Sequence, residues 1–269
     1  MPTTNLLLTT LAEIKAAGRM ALCGYFLVGY PTPEDFFRMT RAARELDVIE
    51  FGIPAHEPSL DGPVIASAHD VVTEVRGLGA ETALALIGGL RDLRQPRFVM
   101  TYADVGRELD GFLRLCVAND VHGMLAPDLA PFEIDDVIRV ARALNLAVFT
   151  LCDARADDET LRLAVERGDI VYLKAAAGRT GQHADLKGEL RVVLQQAMAR
   201  IRAIKPHIPI AVGIGVQRAE DVAALAALGA DMVVVGTKII EHLTTGEAAL
   251  VDYIRTLKAA TVYPQVAGQ

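Results

Sequence analysis

Val48-Ile-Glu-Phe-Gly-Ile-Pro-Ala-His-Glu-Pro-Ser-Leu-Asp-Gly-Pro63 starts as a short apolar run with one ionisable residue, Glu50, inside it, and then breaks into a loop punctuated by Pro54, Pro58 and Gly62-Pro63. The run has the character of a buried strand, and a helix follows from about Pro63, so the stretch is one strand-loop-helix unit. A carboxylate inside such a strand needs a reason. An unpaired buried charge is costly, so Glu50 must be neutral, paired, or turned toward a water-filled cavity. The loop supplies a second carboxylate, Asp61, and its prolines limit how far it wanders. One carboxylate on a strand and one on a stiffened loop make a candidate site.

The same unit recurs on both sides. Residues 4–16 read as an amphipathic helix, with Leu7, Leu8, Leu11 and Ile14 at helical spacing and Gly18 as its stop. An apolar strand over 20–28 follows, then a helix capped by Thr32 with Pro33 in its first turn, running to about Leu46. Beyond the opening stretch, helices over 80–93, 109–119, 131–145, from 157, and over 189–204 alternate with strands over 97–102, 121–126, 146–151, 169–174, 209–213 and 230–235, and a helix follows each of the last two strands.

Eight strand-then-helix units in roughly 250 residues have the size and order of a closed (β/α)8 barrel, and near-continuous apolar strands are those buried on both faces of a parallel sheet. The expectation is a single TIM-barrel domain over 1–269, with an extra N-terminal helix in 1–18, the barrel in 20–258 and a C-terminal tail in 259–269. An open doubly wound sheet is the alternative, and its usual Gly-x-Gly-x-x-Gly turn after the first strand is absent. In a barrel the catalytic groups sit at the C-terminal ends of strands and in the loops that follow, where Glu50 and Asp61 fall.

Composition narrows the function classes. The chain carries 27 basic and 34 acidic residues, a formal net charge of −7, which argues against broad nucleic-acid or anionic-membrane binding while leaving room for a pocket holding one phosphate. Its 52% hydrophobic and 23% charged residues supply a core and show no sign of disorder. Cys23, Cys116 and Cys152 lack metal-type spacing and read as core thiols of a reduced cytoplasmic protein. The histidines, His69 among them, are scattered without ligand spacing, so no metal site is expected. No segment reaches the ~18 consecutive apolar residues of a membrane span.

The loops after the last three strands are Ala177-Gly-Arg-Thr-Gly181, Val212-Gly-Ile-Gly215 and Val235-Gly-Thr237. Glycine lets backbone N–H groups approach an anion closely, and barrels frequently bind a phosphate with the loops after their last strands. Three such loops at the expected strand ends point to a phosphate monoester as ligand.

At this point the sequence resembles a known family. Glu50-Phe-Gly-Ile-Pro54, then Leu60-Asp-Gly-Pro-Val-Ile65, with Thr180-Gly181, Gly213-Ile and Gly236-Thr237 at the far end, is similar to the tryptophan synthase alpha chain, the indole-3-glycerol-phosphate lyases, over almost the whole length. The resemblance implies retro-aldol cleavage of indole-3-glycerol phosphate to indole and glyceraldehyde 3-phosphate, with no metal and no organic cofactor. It implies Glu50 as the acid/base that protonates the indole ring carbon and takes the proton of the glycerol hydroxyl. Asp61 becomes the partner of the indole N–H. Tyr25, Tyr102 and Tyr172 fall on aromatic positions around the substrate, and Thr180, Gly181, Gly213, Gly236 and Thr237 on phosphate-binding ones. Asp128 falls on an aspartate expected to hold neighbouring loops together. The chemistry agrees: cutting a carbon–carbon bond to an indole requires an acid for the ring carbon and a group that stabilises the resulting cation.

The departures from the family pattern lie beside these residues. Gly29-Tyr30-Pro31 stands where the family has Gly-Asp-Pro, and Ala55-His56-Glu57 replaces the Phe-Ser-Asp that in the family touches a beta chain. These departures weaken the case for a beta chain as partner without removing it, and the expectation is a lyase that works alone or with an atypical partner and releases free indole. Lys174, two residues after Tyr172 on one strand, suggests a rival, a Schiff-base aldolase acting on another phosphorylated substrate. A catalytically altered alpha-like regulatory subunit is the non-enzyme alternative, against which the retained Glu50 and Asp61 argue.

Overall fold

The computed structural model describes residues 4–103, 109–129, 131–175, 180, 181, 186, 188–213 and 215–264. Ala177, Gly178, Arg179 and Ile214, which belong to the glycine-loop reading, and the histidine His183 lie outside the described residues.

Eight parallel strands close into a barrel in chain order. They are β1 (Ala21–Leu27), β2 (Val48–Gly52), β3 (Arg97–Met100), β4 (Gly123–Leu125), β5 (Ala147–Asp153), β6 (Ile170–Lys174), β7 (Ile210–Gly213) and β8 (Met232–Val235). The ring shuts where Ala21 of β1 pairs with Met232 of β8. The open-sheet alternative therefore falls away. Around the ring run α2 (Pro33–Ala42), α3 (Pro63–Asp70), α4 (Ala80–Gly88), α5 (Leu109–Ala118), α6 (Pro131–Ala143), α7 (Asp158–Arg167), α8 (Gly188–Ile204), α9 (Ala219–Ala227), α10 (Thr237–Thr245) and α11 (Glu247–Ala259), with α1 (Leu6–Ala16) preceding the barrel.

The strands alternate their side chains between two cores. Ile49 and Phe51 pack outward against helices, whereas Val48, Phe98, Phe149, Ile170 and Met232 fill the barrel's interior. Within that interior the rings of Phe98 and Phe149 stack at 4.1 Å. Helix α1 plugs the N-terminal mouth, burying Leu7, Leu11 and Ile14 against the inner layer. Asn5 anchors it: its side-chain oxygen accepts the N–H of Leu7 and Leu8, and its Nδ2 donates to the carbonyls of His122 and Asn145. The bottom of the barrel is thus sealed, which leaves the C-terminal end of the strands for a ligand.

Three features differ from the sequence expectation. Helix α2 stops at Ala42 instead of about Leu46, because Leu46 is drawn into the core and Asp47 already pairs with Leu22 at the edge of β1. Helix α3 passes at Val71 into a π-helical turn, Val71–Val75. The chain after β8 forms two helices, because Gly246 adopts φ 128°, a conformation closed to residues with a Cβ, and turns the chain between them. The described residues beyond α11 are also held: the Met20 N–H donates to the Thr261 carbonyl and the Tyr263 N–H to that of Gly18. Among the described residues no helix is long and apolar enough to cross a membrane, and no group of three or more His, Cys, Asp or Glu could hold a metal ion. All three cysteines are free and buried.

Candidate active site

Because Val48 points into the barrel, the period of two turns Glu50 inward as well, one layer nearer the C-terminal mouth. There it is 4% exposed, between Tyr25 of β1 and Phe98 of β3 in the register of the sheet. Burial pushes its carboxyl up to about 8, and the neighbouring Asp61 adds to the rise. Asp61 is also 4% exposed, at the end of the β2–α3 loop. Burial raises its carboxyl to about 6, but two donors oppose that effect. Tyr102 donates to Oδ2 at 2.8 Å and Thr180 to Oδ1 at 3.3 Å. Both carboxyls are thus raised by burial, Glu50 further than Asp61, which alone receives hydrogen bonds that favour its ionised form.

The β2–α3 loop closes onto the β6–α8 loop. Thr180 Oγ1 accepts the Gly62 N–H at 2.8 Å, and Thr180 N–H donates to the Leu60 carbonyl at 3.2 Å. Gly62 is required at this contact: a Cβ there would stand 1.9 Å from the Thr180 carbonyl oxygen. The apolar wall between the two carboxylates and the far rim consists of Leu60, Ile65, Met100, Leu125, Leu151 and Val234.

At the far rim Gly181, Gly215, Gly236 and Thr237 line the same pocket. Gly181 and Gly215 adopt φ of 91° and 97°, and Gln217 Nε2 ties the two loops together by donating to the Gly181 carbonyl at 3.2 Å. Gly236 is the cap residue before α10 and has no side chain to cap it, so among the described residues the first-turn N–H groups at the pocket edge suit an anion.

Of the residues expected from sequence, Tyr25, Glu50, Asp61, Tyr172, Thr180, Gly181, Gly236 and Thr237 line one pocket. Tyr102 lies behind Asp61, 1% exposed, and reaches the site through its hydroxyl. Gly213 sits beneath the rim, where a Cβ would stand 2.0 Å from the Tyr172 hydroxyl, and Gly215 is the residue of that loop on the pocket surface. Asp128 accepts the Ala103 N–H at 3.0 Å, joining the loops after β3 and β4. Lys174 pairs with Asp153 of the adjacent strand at 3.6 Å and is not among the residues that line the pocket of Glu50 and Asp61. Ala55 is buried, whereas His56 and Glu57 are exposed and His56 faces Glu74 at 3.2 Å.

Sequence reasoning missed His69. It is fully buried on α3, with Nδ1 accepting the Ala55 N–H at 3.0 Å and Nε2 facing the Tyr25 hydroxyl at 3.4 Å. Its spacing of four from the pocket residue Ile65 was the available signal, since residues four apart share a helix face.

The model of the tryptophan synthase alpha chain family matches residues 11–265. The tryptophan synthase alpha chain of Thermobifida fusca is 31% identical over 242 residues, 87% of each chain. That of Halorhodospira halophila is 35% identical over 246 residues, covering 87% of this chain and 86% of the relative. Among solved structures, a chain of Mycobacterium tuberculosis tryptophan synthase superimposes with a TM-score of 0.87 at 27% identity, covering 97% of this chain and 99% of that one.

Proposed function

We infer residue roles from one premise: the chain belongs to the tryptophan synthase alpha chain family and is a carbon–carbon lyase of tryptophan biosynthesis, cleaving indole-3-glycerol phosphate to indole and glyceraldehyde 3-phosphate. The observation that carries the assignment of roles is the meeting of two buried carboxyls in one apolar pocket, Glu50 raised by burial and Asp61 hydrogen-bonded by Tyr102 and Thr180, which suits Glu50 to the acid role and Asp61 to the ionised one. The Glu50 carboxylic acid gives its proton to the indole ring carbon that bears the side chain. The cation so formed is an indolenine whose N–H faces the Asp61 carboxylate. Glu50, now a carboxylate, takes the proton of the glycerol hydroxyl on the adjacent carbon. The carbonyl of glyceraldehyde 3-phosphate forms, the carbon–carbon bond breaks, and its electron pair returns to the ring as indole. The proton gained at carbon equals the proton lost from oxygen, so Glu50 ends as it began.

The phosphate falls to Gly181, Gly215, Gly236 and Thr237, which line the same pocket as the two carboxyls. Tyr25 and Tyr172 remain protonated, because burial raises both hydroxyls well above their ordinary value, and they border the ring.

Members of the family work with a beta chain, and we propose that this chain cleaves its substrate without one. Support comes from the loop that carries Asp61: Ala55, Leu60, Asp61 and Gly62 are all bonded to groups of the same chain. The test is indole release from indole-3-glycerol phosphate by wild type and Glu50→Gln, each with and without an added beta chain. The expected result is turnover by the wild type alone and none by the variant. Turnover that appears only with the beta chain overturns the independence, and unchanged turnover in Glu50→Gln overturns the role of Glu50.

A further inference from the structure

A histidine whose Nδ1 accepts a backbone N–H carries the single proton of its neutral ring on Nε2. His69 meets that condition through Ala55 N–H, and burial holds its basicity down to about 4, so the ring stays neutral wherever the enzyme works. Nε2–H is then a donor, and it faces two oxygens: Tyr25 Oη at 3.4 Å and Asp61 Oδ2 at 3.7 Å. The ring is braced on its other side by the edge of Tyr102, centroid to centroid 6.4 Å.

These contacts join three parts of the chain. Ala55 lies near the start and Asp61 near the end of the β2–α3 loop, α3 carries His69 beyond it, and β1 carries Tyr25. Resting on the reading that Asp61 holds the indole N–H, we propose that His69 is a positioning residue: latched to Ala55, it presents Nε2–H toward Asp61 and Tyr25 and keeps the loop carboxylate aimed at the substrate ring from within the chain. Asp61 Oδ2 then lies between two donors, Tyr102 and His69, and Oδ1 meets Thr180. Contacts of this length around catalytic groups tighten in the substrate complex. The latch also redefines Ala55, which the sequence placed on a partner-facing surface. It is buried, and its N–H is spent on His69.

Two variants separate the contacts. His69→Asn keeps an acceptor near the position of Nδ1 and loses the donor at Nε2, whereas His69→Gln keeps a donor near Nε2. Steady-state cleavage of indole-3-glycerol phosphate is measured across pH for wild type and both variants, with thermal melting as the check on folding. His69→Asn is expected to lower kcat on the order of tenfold with little change in KM, and to move the acidic limb of the profile to higher pH. His69→Gln is expected to recover most of kcat and the wild-type limb. The titratable groups that face Asp61 are Glu50 of β2, Tyr25 of β1, Tyr102 after β3, Tyr172 of β6 and His69 itself. A His69→Asn enzyme with wild-type kcat and limb overturns the proposal, and so does equal loss in both variants with an unmoved limb, the signature of a packing defect. Nitrogen NMR of the labelled wild type needs no variant: it is expected to show a neutral Nε2–H tautomer, and Nδ1–H overturns the proposal. Failure of the wild type to release indole would instead overturn the assigned reaction, with the tautomer still deciding the latch.

Discussion

The Tyr102 hydroxyl donates to Asp61 Oδ2 at 2.8 Å while accepting the Leu60 N–H at 3.3 Å, so one side chain from the end of β3 holds both the carboxylate and the backbone beside it. A hydrogen bond to a charged group contributes about 1.5–3 kcal/mol, and here it favours the ionised aspartate. Tyr102→Phe should lower kcat/KM at neutral pH by roughly tenfold or more and raise the pH at which activity is lost on the acidic side. A pH–rate series on the variant checks both. An unmoved acidic limb would show that Tyr102 does not tune Asp61.

Activity needs Glu50 protonated and Asp61 ionised, so the kcat/KM profile should be a bell, with an acidic limb near 6 and a basic limb near 8. Folding stability carries a separate signature. Glu50 is raised to about 8 from an ordinary 4.5, so below the ordinary value both folded and unfolded chains hold the proton and no penalty exists. As pH climbs from there to about 8, the unfolded chain has released its proton while the folded one keeps it, and stability declines. The penalty is on the order of a few kcal/mol. Glu50→Gln removes it, so the inactive variant should melt above wild type at pH 8.5 and level with it at pH 4, by roughly a few degrees per kcal/mol. Parallel melting curves across that range would contradict the burial of an acid at this position.

Gly62→Ala introduces a Cβ at 1.9 Å from a backbone oxygen, which cannot rotate away as a side chain could. The contact between the β2–α3 and β6–α8 loops must then open. The expected outcome is a large fall in kcat/KM with a smaller effect on the melting temperature, since both partners lie in loops above the core. Indole release and thermal melting of the purified variant measure the two effects. A melting temperature that collapses together with activity would mean that the loop junction supports the fold.

Lys174 is engaged with Asp153 and stands off the pocket. Lys174→Met should therefore retain turnover within a few-fold, and borohydride treatment of wild type with substrate should leave the protein's mass unchanged. A trapped adduct at Lys174 would restore the imine mechanism.

The eightfold repeat, Glu50 on a strand, Asp61 on the loop after it and the glycines after the last strands were legible in the sequence because their signals are local. Apolar runs, caps such as Thr32, and glycine breakers act through neighbours in the chain, and strand alternation alone places Glu50 on the face of Val48. The sequence also determined which family the residues resemble, since its motifs are contiguous. What only the tertiary structure decided was who meets whom. Asp61 and Thr180 are 119 residues apart, and Tyr102 reaches Asp61 from another barrel unit, through a register that no local pattern encodes. The same register gives Lys174 to Asp153, and the closeness of neighbouring strand ends sets Gly213 under the Tyr172 hydroxyl. His69 passed as one scattered histidine because its meaning lies in the Ala55 N–H and the two oxygens facing Nε2. Those contacts exist only once the barrel has closed and the loop after β2 has folded back onto α3.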